Sequence, residues 1–127
     1  MSDRPIDDSA HDRGAGDPRL IEALDSGDSA AIRRAILTVR VLVPLVEIRA
    51  AGKAAEVALP RIVNPSGHAA LPVFSSYDAL RAWRADARPV PMLGEQAVAA
   101  ALSEGCAALV LDVAGPVPHS VPLRFAR

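Results

Sequence analysis

The chain has a single cysteine, Cys106, and four aromatic residues, Phe74, Tyr77, Trp83 and Phe125, among its 127 positions. One thiol forms no internal disulfide and no four-thiolate zinc site, and it suits a reducing cytoplasm. Binding of single-stranded nucleic acid needs several exposed aromatics between basic residues, and four scattered rings, some of them required for a core, do not supply that surface. Lysine is almost missing, since 13 arginines accompany Lys53 alone. No apolar run approaches the roughly 20 residues of a membrane helix, and the opening MSDRPIDDSAHDRGAGD lacks the basic start and apolar centre of a secretory leader. The expected location is therefore cytoplasmic, with neither membrane nor nucleic acid as partner.

Charge is uneven along the chain. The net charge of −1 divides into −5 over residues 1–28 and +4 over residues 29–127. The body is only mildly basic, and its densest cationic pair is Arg33 with Arg34, too little clustering for a phosphate-backbone binder. Half the residues are hydrophobic, enough for one globular domain burying about two thirds of its unfolded surface. Residues 1–16 are polar and acidic with no period, which predicts a flexible tail before a domain over 17–127.

Within that domain the hydrophobic period alternates between helix and strand. Asp17 before Pro18 reads as an N-cap followed by proline in the first turn, with Leu20, Ile21 and Leu24 as the apolar stripe. After Ser26-Gly27-Asp28, a second helix sets Ala31, Ile32, Ala35, Ile36 and Val39 on one face and Arg33, Arg34 and Arg40 toward solvent. Val41–Ile48 is apolar on both phases, as in a strand buried on two sides, but Pro44 has no N–H, so a neighbouring strand must be absent or bulged there. A second strand is predicted over Glu56–Val63, with Pro60 marking an edge, and Asn64-Pro65-Ser66-Gly67 is a strong turn, so a β-meander is expected.

Ala70–Phe74 is the third strand. Ser75 with Asp78 resembles a capping box opening a short helix through Leu80 and Trp83. Residues 89–93 form a short or edge strand, Gly94–Glu104 a helix stopped by Gly105, and Ala107–Val113 the best buried strand, predicted parallel to the 90–93 strand across that helix. Prolines 116, 118 and 122 limit pairing beyond it. The expected fold is α+β, a single domain with a mixed sheet of about five strands flanked by three or four helices.

Chemistry-bearing motifs are sparse. Cys106 opens a buried strand and reads as a small hydrophobe rather than a nucleophile, although His119 and Asp112 lie after it and leave a Cys106-dependent enzyme as the remotest alternative. His11, His68 and His119 have no ligand spacing, and no metal site or cofactor is expected. Ser75 and Ser76 sit at a strand-to-helix junction without the glycines of G-x-S-x-G, so capping is their expected role. No glycine-rich phosphate loop comes after a strand.

The segments LVPLVEIRAAGKAA, HAALPVFSSYDALRAWRADARPVP and AALSEGCAALVLDVAGPV carry a resemblance. Pro72–Ser76, Leu80–Trp83, Arg88–Pro91 and Leu111–Pro116 match the strand-to-helix junction, the Ala/Leu/Trp helix, the Arg-Pro-Val-Pro link and the Leu-Asp-x-Ala-Gly-Pro ending of the SseB N-terminal domain family, particularly its actinobacterial branch. The resemblance spans roughly residues 38–123. It implies a small α+β domain named for enhanced serine sensitivity rather than for a reaction. The role it implies is that of a non-catalytic interaction or regulatory domain with a protein partner, which includes homodimer formation, and a small-molecule sensor of amino acids is the alternative. The resemblance offers Lys53, Arg88 and Asp112 as contacts to ligand or partner. The sequence departs from the branch at residues 52–57, where a polar segment is replaced by Gly52, Lys53, Ala54, Ala55, Glu56 and Val57.

Overall fold

The computed structural model describes residues 14–48, 56–115 and 117–123. Two helices come first, α1 (Pro18–Ser26) and α2 (Ser29–Thr38). Each begins where a carboxylate satisfies an orphan N–H: Asp17 accepts from the Arg19 amide and Asp28 from the Ala30 amide. The Arg19 side chain also donates to Asp17 and holds that carboxyl below its usual range. Gly27, at φ 71°, closes α1 with its N–H on the Leu24 carbonyl.

The strands are β1 (Arg40–Ile48), β2 (Glu56–Ala58), β3 (Ile62–Val63), β4 (Ala69–Val73), β5 (Arg88–Leu93), β6 (Ala108–Leu111) and β7 (His119–Pro122), with α3 (Tyr77–Trp83) and α4 (Gly94–Ser103) between them. They form two sheets, of order β2-β1-β5 and β3-β4-β6-β7. The α+β class and single small domain hold, with seven described strands rather than about five. β1 is buried on both faces, as its double-phase apolar pattern required. Val41 and Val43 enter the larger core beneath α1, α2 and α4, whereas Leu42 and Val46 enter a smaller one with Phe74, Leu80 and Ala87.

Prolines decide where the two sheets part. Among the described residues a single bridge joins them, Leu42 and Phe74 each donating to the other's carbonyl at 2.8 Å. Antiparallel alternation would make the next hydrogen-bonded rung Pro44 opposite Pro72, and neither has an N–H. The ladder stops at that point. β2 then takes β1 from Val46 onward, and β3 takes β4 at Ala69 and Ala70. The missing neighbour beside Pro44 is thus as expected.

Other expectations are corrected. The strand predicted over Glu56–Val63 breaks at Leu59-Pro60-Arg61 into β2 and β3, which join different sheets, so no continuous meander forms. β6 runs parallel to β4, not to β5; β5 instead pairs antiparallel along β1 from Arg40 to Leu45. Prolines 89 and 91 suit that edge, because the rung between Leu42 and Pro91 directs both backbones away from each other and needs no donor. β7 pairs with four residues of β6 despite its prolines. The Leu123 amide donates to the Ala107 carbonyl at 3.0 Å, so alternation turns the nitrogen of Pro122 outward, where no bond is lost.

Candidate functional site

Parallel strands bring their carboxyl ends to one rim, and in α/β arrangements that rim is where loops gather functional groups. Here β4 runs out into Ser75 and β6 into Asp112. The Asp112 carboxylate accepts twice from one residue: from the Ser75 N–H at 2.8 Å and from its Oγ at 2.7 Å. Asp112 itself sits at φ 53°, the left-handed region that aspartate tolerates better than most residues. Its own N–H donates to the Val73 carbonyl and its carbonyl accepts from Gly115, so the backbone is fixed on both sides.

A cation lies beside this pair. Arg40 donates to the Ser75 carbonyl at 3.1 Å and to the Ala15 carbonyl. Close by, the Tyr77 amide donates to the Gly14 carbonyl at 2.9 Å. Residues 14–16 therefore lie across the β4–α3 junction. Gly14 is buried at φ 80°, and a Cβ there would fall 2.1 Å from the Tyr77 ring. The rest of the segment expected as a tail, residues 1–13, lies outside the described residues.

Two readings of individual residues change. Ser76, not Ser75, caps α3, accepting from the Ala79 amide at 3.1 Å. Ser75 is drawn instead to Asp112, 37 positions away. Arg40 is half-buried and bridges two backbone carbonyls rather than facing solvent with Arg33 and Arg34. Neither link has a local sequence signal, because both join residues far apart in the chain.

Of the contacts that the resemblance offers, those described stand on separate strands. Asp112 ends β6, Arg88 is exposed at the start of β5 opposite Leu45 in the other sheet, and Lys53 lies outside the described residues. Cys106 is buried after α4, its amide on the Ala101 carbonyl, and burial pushes its thiol pKa up. A raised pKa in the fold means that the folded state holds its proton more tightly than the unfolded chain. The contribution is present below the ordinary thiol pKa and is lost as pH rises beyond it. Folded protein is therefore expected to resist iodoacetamide at pH 7.5 and to lose stability above about pH 9, and a Cys106→Ala variant should flatten that alkaline decline. Rapid alkylation without unfolding would contradict the burial.

The Ser75–Asp112 clasp makes a separate test. Asp112→Ala removes the acceptor of two bonds and should cost about 2–3 kcal/mol in urea denaturation. Asp112→Gly should lose roughly 1 kcal/mol less, because glycine relieves the left-handed backbone. Asp112→Asn should lose least, since its amide oxygen still accepts. Equal losses for all three would show that the carboxylate is not holding the junction.

Among the described residues no three His, Cys, Asp or Glu side chains group as metal ligands, and no helix is long and apolar enough to cross a membrane. Compared with known families, residues 19–124 match the model described as the SseB protein N-terminal domain. No curated protein and no solved structure matches the chain.

Proposed function

The chain belongs to the SseB protein N-terminal domain family, and from that premise we propose that it acts as a non-catalytic interaction or regulatory domain in the cytoplasm, with a protein as its partner. The observation that carries this reading is the clasp at the rim of β4 and β6. The one serine hydroxyl at the end of β4 that is not a helix cap donates to the Asp112 carboxylate, and the same carboxylate holds that serine's own amide. Activation of a serine needs a partner that accepts its proton and is itself oriented by a third group. Among the described hydrogen bonds no third residue orients the Asp112 carboxylate, whose other oxygen takes the amide of the same serine. The lone thiol is likewise buried with a raised pKa, the opposite of an activated nucleophile.

Affinity purification of the full chain from its native cells, under several growth conditions, tests the reading. Reproducible enrichment of particular proteins over an untagged control is expected. Recovery of background alone, together with a thermal midpoint raised by an amino acid at millimolar concentration, would replace it with the sensing alternative, since a ligand that binds only the folded state must raise that midpoint.

A further inference from the structure

A segment that puts no apolar side chain into a core is held more weakly than the elements it crosses. Residues 14–16 are such a segment. Gly14 and Gly16 have no side chain and that of Ala15 is exposed, so among the described residues Leu20 is the first whose side chain enters the larger core. Main-chain carbonyls attach the segment: Gly14 accepts from the Tyr77 amide at 2.9 Å and Ala15 from the Arg40 guanidinium. Both donors belong to distant parts of the chain, Tyr77 to the first turn of α3 and Arg40 to the start of β1.

The seat under Gly14 admits only glycine. At φ 80° an L side chain is strained, and a Cβ would fall 2.1 Å from Tyr77 Cγ, 2.2 Å from Cδ2 and 2.7 Å from Cβ. A new rotamer can swing the ring, although the Arg81 guanidinium 5.3 Å from its centroid favours the present one. The Tyr77 Cβ cannot swing, because the backbone of α3 places it. Any side chain at position 14 therefore lifts the segment or displaces α3. What lifts is small, since Asp17 already caps α1 on the Arg19 amide and the chain beyond it is packed.

We infer that residues 14–16 are a latch, which closes over the β4–α3 junction and opens while the sheets and helices behind it stay folded. Closed, it covers the Tyr77 amide and holds one arm of Arg40. Open, it bares that amide and the adjoining face of the Tyr77 ring, and it releases the Arg40 arm from Ala15. The rim where β4 ends thus has two surfaces, and the fit of Gly14 sets the balance between them.

Amide exchange in the ¹⁵N-labelled full chain, followed from zero to low urea, separates a latch from an integral part of the fold. Local opening exposes little surface and responds weakly to urea, whereas exchange through unfolding of the domain accelerates with it. The Tyr77 amide is expected to be protected, to exchange faster than the bridge amides of Leu42 and Phe74, and to depend little on urea. In Gly14→Ala it should lose its protection while Leu42 and Phe74 stay protected. Exchange of Tyr77 in step with the bridge amides at every urea concentration overturns the latch, as does a Tyr77 amide unprotected in the unaltered chain. Protection of Tyr77 retained in the variant, or lost there together with that of Leu42 and Phe74, overturns it equally.

Discussion

Gly94→Ala is expected to unfold most of the protein at 37 °C, although alanine is the better helix former by about 1 kcal/mol. Gly94 starts α4, and its N–H donates to the Val39 carbonyl just beyond α2. A Cβ at this position would lie 1.6 Å from the Ile36 carbonyl oxygen, 2.5 Å from its carbonyl carbon and 2.8 Å from the Leu37 Cα. All three are backbone atoms of α2, so no rotamer change relieves the overlap. α4 must withdraw from α2, and Ala97, Val98 and Ala101 leave the larger core with it. A loss of about 4 kcal/mol or more is of the order of the whole stability of a small domain. Gly105→Ala is the comparison: φ is 75° but nothing lies within 4 Å, so only the left-handed backbone is penalised, by about 1 kcal/mol. Chemical denaturation of the two variants checks the contrast, and a Gly94→Ala protein as stable as Gly105→Ala would refute the close approach of the helices.

Phe74→Ala should cost about 3–5 kcal/mol and lower the thermal midpoint by roughly 10–20 °C. The ring is fully buried and packs on Trp83 with centroids 5.5 Å apart at 34°. Its position gives the loss a structural meaning beyond its area. Phe74 carries the bridge to Leu42, at which the two sheets meet, and the smaller core is assembled around both residues. Emptying the ring site should loosen that junction, seen as faster amide exchange at Leu42 and Phe74 and a weaker near-ultraviolet signal from Trp83. Phe74→Leu, which keeps an apolar side chain, should cost about 1–1.5 kcal/mol. A loss below about 1 kcal/mol for the alanine variant, with unchanged exchange at the bridge, would mean that the sheets are held together elsewhere.

Local signals in this sequence translate well into structure. Asp17 and Asp28 cap their helices through their own carboxylates, Gly105 takes the left-handed stop, and the two-phase apolar run of β1 is buried on both faces. Each of these depends on residues within a turn or two. Sheet partnership depends on residues far apart, and local patterns do not encode it. A helix between two strands predicts a crossover, yet β5, beyond α3, turns to β1 and leaves β6, beyond α4, to lie beside β4. The reason is visible in the prolines once the register is known: 89 and 91 fit a donor-free edge, and 44 with 72 forbid the rung that would have merged the sheets. The candidate site is partly readable. Asp112 stands out as an acidic residue just past a buried strand, but its partner Ser75 looks like a helix cap because Ser76 beside it offers the same hydroxyl. Arg40 is indistinguishable in sequence from the solvent-facing arginines of α2, since its ligands are carbonyls contributed by Ala15 and Ser75.

Whether this fold works by presenting a surface rather than by performing chemistry is decided inside the native cell. A photo-crosslinking amino acid is placed in turn at exposed positions on separate elements, Ser120 on β7, Glu95 on α4 and Arg81 on α3. A surface-presenting domain gives a discrete protein adduct from one face and none from the others. No adduct from any position, or the same adducts from all, would contradict that role.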